Sequence, residues 1–158
     1  MRGEDLQVKK CKKCDTEFRA FNSFQKCPKC TPKKYQKRSK KSELLQLAQI
    51  VFNKWIRNRD EKEPCIACGK FANTYHASHF IPISKSGYLR FNEDNVHKSC
   101  LACNVDLNGN LEKYEPNLIK KIGKKRVENL IKISKEVVPH NYSNEDLKEI
   151  IKKYSIEG

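Results

Sequence analysis

Apolar residues recur at a helical spacing in the segment that runs from Ser42 to Arg59. Residues three or four positions apart lie on one face of an α-helix, and the positions with this spacing are Leu44, Ala48, Val51 and Trp55. Ser42 stands before the run and belongs to a residue type that caps helix N-termini. The sequence therefore predicts an amphipathic helix over 42–59, with Trp55 as a core anchor.

The pattern changes after this helix, where the apolar residues become short-spaced. Residues 71–83 predict a strand that ends in a loop at Pro82, and residues 84–94 predict a turn-rich connection. Residues 95–100 predict a second strand. A further helix is expected to begin near Asn104.

The last third of the chain reads as helices in pieces. One helix is predicted to end at Gly123, and a second follows directly. The last helix opens with Ser143 and Asp146, three residues apart, which is a capping-box pattern. Its apolar stripe comprises Leu147, Ile150, Ile151 and Tyr154. This stripe is expected to pack either on its own domain or on a partner subunit.

The amino-acid composition indicates a small hydrophobic core and a strong positive charge. The chain has 158 residues, of which 37% are apolar and 33% charged, with a net charge of +14. This length suits one principal domain with a small appended module, and the low apolar content predicts that something besides a hydrophobic core stabilises the fold. The charge predicts a polyanionic partner, most commonly nucleic acid.

The positive charge is concentrated near the N-terminus. Residues 1–41 contain 14 lysines and arginines and 4 acidic residues, so +10 of the net +14 lies there. The segment 31–41 is either a solvated linker or an arm that contacts phosphates, and we favour a linker that also contacts phosphates. Its candidate DNA-binding residues are Lys33, Lys34, Lys37, Arg38, Lys40 and Lys41.

No apolar run is long enough to span a membrane, and the N-terminus lacks the apolar middle of a signal peptide. The expected location is therefore the cytoplasm, where cysteines stay reduced.

All eight cysteines lie in C-x-x-C pairs. Such pairs direct two thiolates at one ion, and two pairs complete a tetrahedral zinc site. Disulfides or a thioredoxin-like motif fit this pattern less well. Pairing by nearness predicts two structural zinc sites with four sulfur ligands each, one formed by Cys11, Cys14, Cys27 and Cys30, and one by Cys65, Cys68, Cys100 and Cys103.

Histidines and asparagines cluster around the second set of cysteines, where the order of residue types is informative. The set comprises His76, His79, Asn95, His97 and Asn104. Any one of them alone would more often satisfy a loop backbone. A zinc-clamped hairpin followed by a helix would, however, bring an imidazole and an amide oxygen to one edge.

The residues CIAC…HASHFIP…LRFNEDNVHKSCLACNVDLNGN resemble the HNH (ββα-metal) nuclease motif in its four-cysteine, zinc-stabilised form. They resemble more closely the phage recombination proteins of the NinG (Rap) family. The resemblance includes the N-terminal CKKC module, the basic segment and the helix before CIAC, and it extends from about Cys11 to beyond Ile122. LRFNEDN followed by C-x-x-CN is its specific part.

The resemblance implies a structure-specific endonuclease that cuts branched recombination intermediates such as Holliday junctions and D-loops. His79 would be the general base, and Asn95 would position either the imidazole or the loop. Asn104 would be a ligand of one catalytic Mg²⁺ or Mn²⁺. Ser78 stands where many HNH nucleases have a second metal ligand, so His76 and His97 are the other candidates. DNA-backbone contacts are expected from Lys85, Arg90 and Lys98.

The predicted fold is therefore α+β, with a small zinc-stabilised HNH core flanked by helices and an N-terminal zinc ribbon or knuckle. The predicted divisions are a zinc module (1–31), a basic linker (32–41), a nuclease domain (42–123) and a helical segment (124–158).

Two rival functions stay open. One is a non-catalytic two-zinc protein that binds junctions or single-stranded DNA, and the other is a zinc scaffold for a larger complex. Symmetric cutting of a junction would suit a homodimer, and other recombination proteins are expected partners. A phage origin would place the protein in a bacterial cell.

Overall fold

The computed structural model describes residues 7–20, 27, 29–30, 39–136 and 141–155. The chain divides into two compact units, Met1–Arg38 and Ser39–Gly158. Lys33, Lys34, Lys37 and Arg38 of the basic segment lie outside the described residues. No helix among the described residues is long and apolar enough to cross a bilayer.

The first unit contains an antiparallel hairpin. Strand β1 (Gln7–Lys10) pairs with β2 (Glu17–Ala20), with Lys10 opposite Glu17. The connection between them carries Cys11 and Cys14.

The second unit is a mixture of helices around a second antiparallel hairpin, so the α+β class is confirmed. Strands β3 (Tyr75–His79) and β4 (Val96–Cys100) pair with Tyr75 opposite Cys100 and His79 opposite Val96. The other elements are α1 (Lys40–Arg59), a 3₁₀ turn (Tyr88–Phe91), a π-helical turn (Ala102–Asp106), α2 (Leu111–Ile122), α3 (Lys124–Lys135) and α4 (Asn144–Ser155).

Helix α1 begins two residues before the predicted start. The side chain of Ser39, not Ser42, caps it, and Ser39 Oγ accepts the backbone N–H of Ser42 at 3.2 Å. Lys40 and Lys41 therefore belong to the first turn of the helix. The buried positions are Ala48, Phe52 and Ile56, so the core face is rotated from the predicted one, and Trp55 lies at its half-buried edge.

Helix α4 packs on α1 within the same chain. The predicted capping box is confirmed: Asp146 N–H donates to Ser143 Oγ at 3.0 Å, and Ser143 N–H donates to the Asp146 carboxylate at 2.7 Å. Leu147 and Tyr154 are buried, and the Tyr154 ring lies 4.9 Å from that of Phe52. Of the two expected uses of the apolar stripe, packing on its own domain is the one observed.

Tyr114 of α2 connects the β3–β4 hairpin to helix α2. Its side chain is fully buried, and its hydroxyl donates to the Ser78 carbonyl at 2.9 Å. Burial raises the pKa of this phenol well above its usual value, so the hydroxyl keeps its proton and its hydrogen bond. This bond fixes the backbone of β3 directly beside His79.

Asp60, directly after α1, connects three elements through a buried carboxylate. It accepts hydrogen bonds from Arg59 Nε and Lys121 Nζ on Oδ1, both at 3.0 Å, and from the Lys98 backbone N–H on Oδ2 at 3.0 Å. Burial raises the pKa of Asp60, but contacts with His97, Arg59 and that N–H outweigh it and hold the pKa far below its usual range. Asp60 therefore stays charged and ties α1 to β4 and α2.

We expect Asp60→Asn to lower the free energy of unfolding by about 3 kcal/mol, because the partly buried cations Arg59 and Lys121 lose their counter-charge. Urea denaturation would measure the change. Glu128→Gln is the control, since its contact with Lys124 at 3.8 Å is exposed and such pairs contribute roughly 0–1 kcal/mol. Equal stability of Asp60→Asn and wild type would contradict this role.

Candidate active site and metal clusters

Four cysteines of the second unit converge at the base of the β3–β4 hairpin. The sulfur atoms of Cys65, Cys68, Cys100 and Cys103 all lie within 4.8 Å of one another, and those of Cys68 and Cys100 are 3.9 Å apart. A tetrahedral zinc ion with Zn–S bonds of about 2.3 Å requires a separation of about 3.8 Å. The spacing therefore fits a zinc ion.

The Cys65 turn has a hydrogen-bonding pattern that directs both sulfurs to one side. Cys65 N–H donates to the Lys70 carbonyl at 3.0 Å, and Gly69 N–H donates to the Cys65 carbonyl at 2.8 Å. Gly69 has φ +68°, which glycine adopts without strain. Burial raises the pKa of Cys65, but hydrogen bonds from backbone N–H groups and Ser99 lower it to about 6, whereas burial raises the pKa of Cys100 and Cys103.

The N-terminal cluster has the same turn. Cys11 N–H donates to the Thr16 carbonyl at 3.0 Å, and Asp15, with φ +55°, occupies the position that Gly69 holds in the other turn. The sulfur separations are 3.8 Å for Cys11–Cys30 and 3.7 Å for Cys14–Cys27. The two predicted groupings are confirmed, and both could hold zinc with four sulfur ligands.

A cleft of about 300 Å³ opens on the hairpin beside the second cluster. It brings together two of the predicted site residues, His79 at the end of β3 and Asn104 on the π-helical turn. Its lining consists of Ala77, Ser78, His79, Pro82, Ile83, Asn104, Asn108 and Gly109. Because Cys103 lies within that turn, directly before Asn104, and Cys100 ends the strand before it, the cluster sets the position of Asn104.

The imidazole of His79 is held in one tautomer. Its Nε2 lies 2.9 Å from the Arg90 carbonyl oxygen, which can only accept, so Nε2 carries the proton and Nδ1 of the neutral ring is an acceptor. Burial lowers the pKa of His79; the Arg90 carbonyl opposes this effect and the Arg90 charge adds to it. The ring is therefore a neutral base at pH 7.

Asn104 is oriented by His76. The amide nitrogen of Asn104 lies 3.1 Å from His76 Nδ1, and because an amide nitrogen only donates, Nδ1 accepts. Among the described residues, the amide oxygen of Asn104 makes no hydrogen bond. His76, predicted as an ion ligand, does not line the cleft and contacts its neighbour Asn104 instead.

Asn95 holds the loop and not the imidazole. Its side chain is fully buried. Its oxygen accepts the Ile81 N–H at 2.7 Å, and its amide nitrogen donates to the carbonyls of Ile81 and Leu89 at 3.0 and 3.1 Å. These bonds close the loop that presents the Arg90 carbonyl to His79.

His97 and Lys98 lie away from the cleft, in contrast to their predicted roles. His97 Nδ1 accepts from Arg59 Nη2 at 2.9 Å, and Nε2 contacts the Asp94 carbonyl at 3.1 Å, so neither nitrogen is left for an ion. Lys98 is 4% exposed and donates to the Glu61 carbonyl at 2.8 Å. The physical reason is that all five residues of β4 are buried.

The other described residues that are predicted to contact DNA differ in their exposure and in their hydrogen bonds. Arg90 is half-buried and donates from Nε to Gln49 Oε1 at 2.8 Å, while Lys85 and Lys40 are exposed. Lys41 donates to Asn141 Oδ1 at 2.7 Å.

Asn108 belongs to the cleft although the sequence analysis did not select it. It begins a run of three residues with positive φ: Asn108 at +48°, Gly109 at +91° and Asn110 at +49°. Asn110 donates to the Cys103 sulfur at 3.3 Å. Asparagine and glycine are the residues that most readily adopt this backbone region. The tripeptide Asn-Gly-Asn could therefore have indicated a turn with positive φ at this position.

Comparison with known proteins gives the family. Residues 29–157 match the family model described as Bacteriophage Lambda NinG protein. The chain belongs to the NinG family. It is 37% identical over 108 residues to Protein ninG of Escherichia phage lambda, which covers 68% of this chain and 52% of that protein. Protein ninG of Salmonella phage P22 is 36% identical over the same coverage. The chain thus spans about half the length of the curated relatives it matches, and no solved structure matches it.

Proposed function

We propose that this NinG-family protein is a metal-dependent endonuclease of the HNH type that hydrolyses phosphodiester bonds in branched DNA. The main support for this proposal is the tautomer of His79, whose Nε2 is fixed by the Arg90 carbonyl at 2.9 Å. Nδ1 is thereby available as a base in the cleft that also contains Asn104.

In this proposal His79 Nδ1 takes a proton from the water that attacks the phosphorus. A general base must be neutral at the working pH, and burial keeps the pKa of His79 low enough for that. The bond to Arg90 holds the ring while its charge rises, because the carbonyl stabilises the imidazolium.

The cleft donors fit a hard cation better than zinc. The side chains of Asn104 and Asn108 offer amide oxygens, and no thiolate occurs among the described residues of the lining. Mg²⁺ prefers oxygen ligands and keeps several waters. When bound, Mg²⁺ or Mn²⁺ would neutralise phosphate charge and stabilise the leaving 3′ oxygen. Asn104 would hold it, with its amide turned by His76.

DNA as the substrate is supported by the net charge of +14 and by the exposed Lys85 near the cleft. The resemblance to phage recombination proteins supports three further proposals. The substrates are branched recombination intermediates, the protein acts as a homodimer that cuts two strands, and its partners include other recombination proteins.

The second candidate is a two-zinc protein that binds DNA junctions without cutting them. It is favoured by one observation: Ser78, directly before His79, is 2% exposed and supplies no carboxylate to the cleft. Such a protein would need neither the fixed tautomer of His79 nor the oriented amide of Asn104.

Cleavage of a labelled four-way junction, compared with linear duplex of the same sequence, tests the proposal. We expect metal-dependent cutting of the junction with Mg²⁺ or Mn²⁺ and none without them. Asn104→Ala should raise the metal concentration for half-maximal cutting by roughly tenfold or more, the order reported for lost metal-site groups. Asn58→Ala, an exposed change on α1, is the matched control. Tight junction binding without cutting under either metal would establish the binding protein instead.

A further inference from the structure

The arginine that holds His79 is itself held by helix α1. Arg90 Nε donates to Gln49 Oε1 at 2.8 Å, and Gln49 Nε2 donates to Asn53 Oδ1 at 2.8 Å. Hydrogen bonds therefore connect Asn53 and Gln49 to the side chain of Arg90, and the backbone carbonyl of the same arginine contacts His79 Nε2.

We propose that Gln49 is a positioning residue for the cleavage reaction, acting through Arg90 on both the base and the DNA phosphate. It would keep the Arg90 carbonyl against His79 and aim the terminal guanidinium nitrogens at a phosphate oxygen. This inference rests on the proposed endonuclease activity.

The amide of Gln49 can act in only one orientation. Arg90 Nε is a donor, so it requires the amide oxygen. A reversed amide would place two donors face to face and direct its oxygen at Asn53 Oδ1. Arg90 Nε thus selects the orientation in which the Gln49 oxygen accepts from it, and the Gln49 amide nitrogen then donates to Asn53 Oδ1.

The fixed Nε of Arg90 also fixes the rest of its planar guanidinium. Among the described residues, no hydrogen bond is made to the two terminal nitrogens of Arg90. Two parallel N–H groups in a plane match two oxygens of a phosphate. Arg90 can therefore contact phosphate through these nitrogens without releasing Gln49.

The 3₁₀ turn that carries Arg90 is short, and its backbone bonds are long: Arg90 N–H to the Gly87 carbonyl is 3.2 Å and Asn92 N–H to the Leu89 carbonyl is 3.3 Å. Other contacts secure its flanks. Tyr142 donates to the Gly87 carbonyl at 2.9 Å, and Asn95 donates to the Leu89 carbonyl. Loss of Gln49 should therefore change the geometry at Arg90 and leave the fold intact.

The test compares wild type with Gln49→Leu, which removes the acceptor, and Gln49→Glu, which keeps an acceptor for Arg90. Gln46→Leu, an exposed change on the same helix, is the control. Single-turnover cleavage of a four-way junction by the full-length, metal-loaded protein should slow by roughly ten- to a hundredfold in Gln49→Leu, as expected for small misplacements of reacting groups. Gln49→Glu should recover most of the rate, and Gln46→Leu should match wild type.

A second readout is independent of cutting. The ¹⁵N chemical shifts of the His79 ring report its tautomer, and they should show Nε2–H in wild type and Gln46→Leu but a mixture in Gln49→Leu. If wild type cuts no DNA, the proposed activity fails while this tautomer change still supports the effect of Gln49 on His79. An unchanged tautomer and rate in Gln49→Leu, or equal loss in Gln49→Leu and Gln49→Glu, would overturn the proposal.

Discussion

We expect replacement of His79 by alanine to lower the proposed junction cleavage by about 10²–10⁴-fold, the usual contribution of a general base, and to leave junction binding unchanged. In the proposed mechanism Nδ1 of His79 is the general base, because the contact of Nε2 with the Arg90 carbonyl leaves Nδ1 as an acceptor in the cleft. DNA affinity comes mainly from phosphate contacts with basic residues, so it does not depend on this ring. Cleavage and binding would be measured on the same labelled junction.

The pH profile of wild type provides a check on the same residue. The base works when neutral, so the rate should rise through the pKa of His79 and then level off. Because burial lowers that pKa from 6.5, the half-maximal rate should lie below pH 6.5. His140→Ala, which alters a histidine without an assigned role, is the matched control and should cut like wild type. Full activity of His79→Ala would remove His79 from the mechanism.

We expect replacement of Cys103 by serine to abolish zinc binding at the second cluster and to unfold the β3–β4 hairpin. Zinc binding to structural sites contributes about 10–16 kcal/mol in small zinc domains, whereas whole domains are stable by only about 5–15 kcal/mol. The small apolar fraction of this chain, 37%, makes such a contribution decisive. Metal analysis by mass spectrometry should give two zinc ions per wild-type chain and one per variant.

Cys27→Ser is the matched variant in the other cluster. It should also retain one zinc ion, but it alters the N-terminal cluster and not the hairpin that carries His79. Circular dichroism of both variants with and without a chelator would separate the two effects. A wild-type protein without zinc, or a Cys103→Ser protein that keeps both ions and its thermal stability, would show that the clusters are not structural zinc sites.

The features that follow from spacing over a few residues could be predicted from the sequence. A C-x-x-C pair needs only one turn to direct two sulfurs at one ion, so nearness alone gave both cysteine groupings. The capping box likewise depends on two residues, Ser143 and Asp146, that are only three positions apart. Local geometry of this kind is set by covalent structure and hydrogen bonding within the segment.

The uses of individual polar residues depended on which faces became buried. His97 and Lys98 look like accessible site residues in the sequence, yet β4 is enclosed on both faces and their side chains serve Arg59, Asp94 and Glu61. No periodic signal marks a short strand that is buried on both sides.

Short-range patterns and motifs were therefore sufficient to predict the cysteine groupings, the capping box of the last helix, the mixed α+β class and the membership in the NinG family. Three-dimensional packing was needed to show that Asn104 and His79 share a cleft, that Asn95 holds a loop, and that Gln49, 41 residues before Arg90, contacts it. The difference lies in the sequence separation of the contacting residues. The spacing of residues along the chain determines contacts within one turn, whereas contacts between distant segments depend on how the helices pack around the hairpin.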